Sequence, residues 1–118
     1  MCDGIVLFLS YASWVMSMRK FRWSKDYESA EEELQALLKW RKVDAKREVK
    51  AAELDFNENA SEQTIRLWCA EGSFMIKEND QTISMQPGDA IDIAPHHSYR
   101  IRTGIAGCIY YQASIDNS

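Results

Sequence analysis

Histidines, the side chains best suited to acid–base and metal chemistry near neutral pH, are few in this chain of 118 residues. Its two histidines, His96 and His97, are adjacent, and neighbouring side chains on an extended backbone point in opposite directions. A mononuclear centre of the two-histidine, one-carboxylate type needs both imidazoles on one ion, so this spacing argues against such a centre. Tyr99 lies two residues after His97. A phenol and an imidazole on one face of a strand could therefore exchange protons with a substrate.

Cysteine spacing and charge argue against a disulfide-rich protein and against a nucleic-acid-binding protein. Cys2, Cys69 and Cys108 are odd in number, lie far apart and form no CxxC pair, which favours a reducing compartment over a disulfide framework. The formal net charge of −4 is unevenly divided, with a balance of +2 over residues 1–50 and −6 over residues 51–118. No basic stripe appears in the carboxy-terminal half, so we expect no nucleic-acid partner. We expect a cytoplasmic protein.

The most apolar stretch of the chain is residues 1–16. It carries Asp3, its nearest basic residues follow it rather than precede it, and this order is wrong for a secretory signal. It is also too short for a bilayer, which needs about 20 apolar residues, and we expect no membrane partner. We expect residues 1–16 to form a strand or helix that is buried or covered by a partner. The alternatives are a cleaved or anchoring segment, and a chain that begins at Met16 or Met18.

One helix is predicted over residues 29–43, within an amino-terminal part whose pattern is helical to about residue 45. Ser29-Ala-Glu-Glu32 has the spacing of a capping box. Acidic residues fill the first turn and basic residues the last, which complements the helix dipole. Leu34, Leu37 and Leu38 form an i, i+3, i+4 stripe that would pack on the body of the domain.

After Asp44 the pattern changes to short strands that are separated by turn residues. Strands of about four to eight residues at intervals of about eight to twelve are typical of an antiparallel sandwich or barrel. We expect one structural domain, in which residues 1–46 hold the apolar segment and the helix, packed on a barrel of residues 47–118. The predicted strands are 49–56, 64–69, 73–77, 82–85, 90–93, 99–103 and 107–112, with a polar loop at 57–62.

Two stretches of the chain resemble a known family. One is Leu67-Trp-Cys-Ala-Glu-Gly72-Ser-Phe-Met-Ile, and the other runs from Ile83 to Ile101 through Pro87-Gly88-Asp89 and, six residues later, Pro95. They are similar to the central motifs of the cupin superfamily, and the resemblance covers about residues 48–113. It implies an all-β fold, a cupin-type antiparallel β-barrel (jelly roll) with one N-terminal helix packed outside. The fold hosts many unrelated activities, so the resemblance indicates architecture rather than chemistry.

The metal ligands of the family are missing where the resemblance places them. Ile65 stands at the position of the ligand glutamate, and the paired histidine positions fall on residues 57–61, which hold no histidine. Tyr99 stands at the position of the last histidine. The resemblance therefore implies a barrel with no metal and no cofactor. An alternative ligand set would arise if Glu58, Glu62 and His97 met in the fold.

The same resemblance places an apolar floor inside the barrel. If Ile65 points inward, alternation along the strand turns Leu67 and Cys69 to the same side, and Arg66 and Trp68 outward. The same parity predicts that Tyr99 and Ile101 point inward. We expect Cys69 to be a small buried hydrophobe. The predicted ligand-binding residues are Ile65, Leu67, Cys69, Tyr99 and Ile101.

Two functions of different classes follow for such a barrel. The first is a metal-independent cupin that binds a small organic ligand without catalysis, as a homodimer joined through the N-terminal apolar segment. The second is a metal-independent isomerase or epimerase of a sugar-like molecule, with Tyr99 and His97 as catalytic proton-transfer groups, because some metal-independent members of the family pair a tyrosine with a histidine. A metal-dependent oxygenase and a structural or protein-binding module are further alternatives, and the sequence leaves open whether the chain is an enzyme.

Overall fold

Seven strands and one helix make up the part of the chain that the structure, a computed structural model, describes: residues 18–23, 30–78 and 80–115. The predicted capping residue Ser29 and the apolar residues 1–16 lie outside the described residues. No helix in the described part is long and apolar enough to cross a membrane. In chain order the elements are β1 (Met18–Arg22), α1 (Ala30–Arg41), β2 (Lys46–Lys50), β3 (Asp55–Glu58), β4 (Thr64–Glu78), β5 (Gln81–Met85), β6 (Asp89–Ile93) and β7 (Tyr99–Ile115).

The two long strands, β4 and β7, each run through two layers. Over its first part β4 pairs with β6, and over its last part it pairs with β5. In the same way β7 pairs first with β3 and then with β2. All these pairs are antiparallel. The pairings give the back layer the order β1-β6-β4-β7-β2 and the front layer the order β5-β4-β7-β3.

The inner faces of the two layers share one core. The rings of Phe74, in the front part of β4, and Tyr110, in the back part of β7, lie 5.2 Å apart between centroids. Such tilted aromatic pairs add to the burial energy of both rings. The buried members of this core are Met18, Ile65, Leu67, Cys69, Phe74, Ile76, Met85, Ile91, Ile93, Tyr99, Ile101, Cys108 and Tyr110.

Glycines bend the long strands without ending them. The β4–β7 register shifts between Cys69 and Glu71 and again between Gly72 and Phe74, and Gly72 has φ +72°. A Cβ at Gly72 would lie 2.2 Å from the carbonyl oxygen of Gly107, so no other residue fits there. The predictions of separate strands on either side of Gly72, and of separate strands at 99–103 and 107–112, were therefore wrong.

Two further strand predictions were wrong. The predicted strand 49–56 is divided into β2 and β3 by a turn at Glu53, which has φ 54°. The turn is held by Thr103, whose hydroxyl donates to the Ala51 carbonyl and accepts from the Leu54 amide. After this turn β3 begins at Asp55 and continues to Glu58, into the predicted loop. Residues 18–22, predicted within a helical part, form β1 because pairing with β6 overrides local periodicity.

The helix packs on the outer face of the back layer. Leu34 and Leu38 are buried against Trp68, Ala90 and Tyr111, while Leu37 is half-buried. Burying each leucine contributes about 2 kcal/mol. The helix begins at Ala30 and ends at Arg41, two residues before the predicted end, where Lys42 adopts a φ of 57°.

Candidate functional site

A pocket of about 400 Å³ opens at one end of the barrel, and we call it the mouth pocket. Two strands of the front layer, β3 and β4, end there, and β7 begins there. Strand ends supply the polar residues of such openings because the backbone leaves the core at those points. The residues that line it are Asn57, Glu58, Asn59, Lys77, Glu78, Ser98, Tyr99 and Arg100.

Three ionisable side chains cross the inner edge of this pocket in a row. Glu58 of β3 is in register with Tyr99 of β7. Lys77 of β4 is in register with Arg100, so the next position, Glu78, reaches the level of Tyr99 from the other side. Tyr99 and Glu78 are only 5% and 6% exposed, and Glu58 is half-buried. A phenol therefore lies between two carboxyl groups, one on each neighbouring strand.

Burial controls the protonation of Tyr99 and Glu78. It raises the pKa of Tyr99, and the negative charge of Glu58 raises it further. Burial also raises the pKa of Glu78, and the charge of His97 partly offsets that effect. His97 Nδ1 lies 3.5 Å from Glu78 Oε2, with its ring half-exposed. A carboxyl group with a raised pKa beside an imidazole is suited to holding or passing a proton.

The predicted catalytic residues occupy different places around the pocket. Tyr99 lines it directly, as part of the buried row. His97 precedes β7 and contacts Glu78, through which it reaches the pocket. Glu78 thus lines the pocket together with Tyr99 and also contacts His97, which lies outside the lining.

The other predicted ligand-binding residues lie deeper. Ile65, Leu67, Cys69 and Ile101 point inward, as the alternation predicts, and pack with Tyr99 in the shared core. Burial raises the pKa of the Cys69 thiol, which points at the Gly72 carbonyl oxygen 3.7 Å away. At this depth the side chains contact one another, and their role in ligand binding stays a prediction.

Glu78 is the site residue that the sequence analysis missed. The predicted strand ended at 77, which left Glu78 in a loop. Alternation was the available signal, because Phe74 and Ile76 point inward and the next inward position is Glu78. Glu58 was assigned to a loop for a related reason, since the division between β2 and β3 was not foreseen.

Comparisons with known proteins add to this geometry. No family model matches the chain, and no curated protein matches it in sequence. Solved structures do match. A DUF861 family protein from Thermotoga maritima is 11% identical over 83% of this chain and 99% of its own, with a TM-score of 0.57. A cupin superfamily protein from Desulfitobacterium hafniense is 16% identical over 84% and 78%, with a TM-score of 0.55.

A third match is the cupin domain of Schizosaccharomyces pombe Cnp3, which is 16% identical over 61% of this chain and 52% of that one, with a TM-score of 0.54. The chain has a cupin fold. The predicted fold class, an all-β jelly roll with one helix packed outside, is therefore confirmed. At these identities the matches establish the fold of this chain alone, and its chemistry must be argued from its own residues.

The residues of this chain do not fit the metal centre that the fold family implies. Ile65, at the position of the ligand glutamate, is a buried apolar side chain, and Tyr99 replaces the histidine of the second motif. Across residues 18–23, 30–78 and 80–115, no three His, Cys, Asp or Glu side chains come together to hold an ion. Glu58, Glu62 and His97 therefore do not form the alternative ligand set.

Proposed function

We propose that this cupin binds a small, hydroxyl-bearing organic molecule in the mouth pocket without using a metal ion. The observation that carries the proposal is the row of Glu58, Tyr99 and Glu78 along the inner edge of a pocket of about 400 Å³. This volume lies in the range of small-molecule sites.

The chemistry of the lining favours hydroxyl groups over apolar ligands. Asn57, Asn59 and Ser98 supply both donors and acceptors, and the carboxyl groups of Glu58 and Glu78 supply acceptors. A hydroxyl group donates one hydrogen bond and accepts others, so a polyol can satisfy such a mixed lining. Binding that leaves the buried carboxyl group of Glu78 unpaired would cost about 1–3 kcal/mol.

The packed core behind the pocket supports this position for the ligand. Phe74 and Tyr110 fill the centre of the barrel with their rings. Ile101 follows Tyr99 on the same inner face and packs behind it. The ligand would then rest on Tyr99, and the deeper predicted residues would act by holding that ring in place.

A thermal-shift screen of sugars and polyols tests the proposal. We expect at least one compound to raise the melting temperature of the wild type and to lose that effect in Glu78→Gln. Glu71→Gln is the matched control, because Glu71 is an exposed glutamate of the same strand outside the pocket. Equal stabilisation of both variants, or none in the wild type, would contradict the proposal.

We propose further that two copies associate through the apolar residues 1–16. In the described part of the sheet β1 and β2 are the outermost strands, and an unpaired strand edge invites pairing with a second copy. Light scattering on a sizing column should give a dimer for the wild type and a monomer for the Leu7→Asp, Leu9→Asp double variant. Ser10→Asp, in the same segment, should stay dimeric. A monomeric wild type would refute this.

A second candidate function is the metal-independent isomerase or epimerase of a sugar-like molecule. The contact between His97 and Glu78 favours it, since Glu78 and Tyr99 line the same pocket. A base would remove a proton from a carbon next to a carbonyl group, and an acid would return one to the opposite face. Sugars incubated in D₂O should then gain deuterium at that carbon, and Tyr99→Phe should slow the exchange. No exchange in the wild type with a sugar that binds would exclude this candidate.

A further inference from the structure

The fold gathers basic residues that the sequence separates. Residues 51–118 have a balance of −6 and contain four basic residues. Arg66 is paired with Asp92 on the outer face of the back layer. The other three, Lys77, Arg100 and Arg102, share the outer face of the front layer and line a second pocket of about 280 Å³. We call this the basic face.

The strand register places these cations side by side. Lys77 lies directly opposite Arg100 across β4 and β7, and Arg102 is opposite Met75 two positions further along the same face. Like charges directly opposite each other destabilise a sheet. All three side chains are exposed, so burial in the core does not account for their position.

The basic face has too few negative charges of its own. Asp55 binds Arg100 through two hydrogen bonds of 2.6 and 2.9 Å. Lys77 and Arg102 make no ion pair within residues 18–23, 30–78 and 80–115. Three cations and one carboxylate leave an excess of two positive charges in a half-chain that is otherwise acidic.

We propose that the basic face binds the phosphate group of a phosphate monoester, whose hydroxyl-bearing part occupies the mouth pocket; this rests on the function proposed above. The two pockets are continuous in their lining, because Lys77 and Arg100 belong to both. A phosphate monoester carries a charge of about −1.5 to −2 at neutral pH, which matches the excess. Guanidinium groups bind phosphate oxygens in a fork, and a lysine adds a point charge.

The surroundings argue against a polyanion as the ligand. A nucleic acid binds through many phosphate contacts along a basic track. Here the three cations form a single concave patch, and the mouth pocket beside it contains Glu58 and Glu78. Repulsion from these carboxyl groups would oppose a chain of phosphates that extended into the mouth pocket. A single phosphate group on the basic face would avoid this repulsion.

Backbone amide NMR titrations at constant ionic strength test the proposal with three probes: inorganic phosphate, glucose and glucose 6-phosphate. Phosphate should shift the amide signals of Lys77, Arg100 and Arg102, and glucose those of Ser98 and Tyr99. Glucose 6-phosphate should shift both groups. In Arg102→Gln the affinity for both phosphate compounds should fall about tenfold, and the affinity for glucose should not change. Arg19→Gln, at an exposed arginine of β1, is the control and should bind like the wild type.

The outcomes separate the two proposals. If glucose shifts the mouth pocket while neither phosphate compound shifts the basic face, the phosphate site is overturned and the proposed function stands. If phosphate shifts the basic face but neither sugar shifts Ser98 or Tyr99, the joint site is overturned, and the thermal-shift screen alone decides the proposed function. Equal phosphate affinity in Arg102→Gln and the wild type would also overturn the phosphate site.

Discussion

Lys77 and Arg100 lie directly opposite each other on β4 and β7, with their like charges in register. Arg100 has a carboxylate partner in Asp55, whereas Lys77 has none among the described residues. Such a pair weakens the sheet locally, and the proposed binding of a phosphate group would account for its position beside the mouth pocket. The basic face is therefore expected to carry a cost in stability.

Replacing Lys77 with glutamate should stabilise the protein. The change turns a like-charge pair into an opposite-charge pair and should raise the free energy of unfolding by about 0.5 kcal/mol. Urea denaturation measures this, and Lys77→Gln should show a smaller gain because it removes only the repulsion. A loss of stability in Lys77→Glu would show that the two charges do not repel. The same variant should lose phosphate binding.

Protonation of Glu78 should couple stability to pH. Its pKa is raised by burial above the ordinary value of 4.5, so the folded protein holds this proton where the unfolded chain has released it. The stabilising effect is full below pH 4.5 and is lost as the pH rises through the folded pKa. Urea denaturation across this range should show the wild type losing free energy of unfolding relative to Glu78→Gln. A pH-independent difference would contradict the raised pKa.

Glu31 should show the opposite dependence. The hydrogen bond from Arg47, at 2.7 Å, lowers the pKa of this glutamate, and Tyr111 adds a second hydrogen bond. The resulting stability is present above pH 4.5 and is lost as the pH falls through the folded pKa. In the same experiment the advantage of the wild type over Glu31→Gln should therefore shrink on acidification. An advantage that grew on acidification would refute the assignment.

Gly72→Ala should destabilise the fold more than Gly104→Ala. A Cβ at Gly72 meets a backbone oxygen, and the new alanine would have to keep the positive φ of Gly72. We expect these two effects together to cost about 3 kcal/mol. A Cβ at Gly104 meets the hydroxyl of Ser73, which can rotate away. Thermal unfolding of the two variants compares them. Equal melting temperatures would mean that the bend in β4 does not depend on Gly72.

Leu38→Asp should lower the melting temperature sharply. Leu38 is 7% exposed in its contact with the back layer, and a carboxylate there loses the packing and is itself desolvated. We expect a loss of about 4 kcal/mol. Ala36→Asp, on the exposed side of α1, should cost about 0.5 kcal/mol. Calorimetry that found the two variants equally stable would show that this face of the helix does not hold it to the barrel.

The sequence predicted correctly which side chains of a strand point inward and which point outward, a property we call strand parity. Ile65, Leu67 and Cys69 alternate with outward residues, and the inward side is buried as predicted. Parity is local, since it depends only on the alternation of side chains along one strand. The helix position was predictable for the same reason, because the spacing of Leu34 and Leu38 is also local.

The strand ends depended on contacts that are distant in sequence. Gly72 reads as a turn residue until Gly107 is brought against it by the pairing of β4 with β7. Because the prediction ended the strand at 77, it also missed Glu78 and the row at the mouth pocket. The convergence of Lys77 with Arg100 and Arg102 follows from the same pairing, so no run of basic residues in the sequence indicated it.

The central claim is that a hydroxyl-bearing ligand binds at the mouth pocket, and mapping a bound polyol on the backbone amides tests it most directly. The first stabilising compound from the thermal-shift screen would be titrated into the labelled wild type. We expect shifts concentrated at Glu58, Glu78, Ser98 and Tyr99. Shifts concentrated instead in the apolar groove between α1 and the back layer, at Trp68 and Ile115, would contradict it.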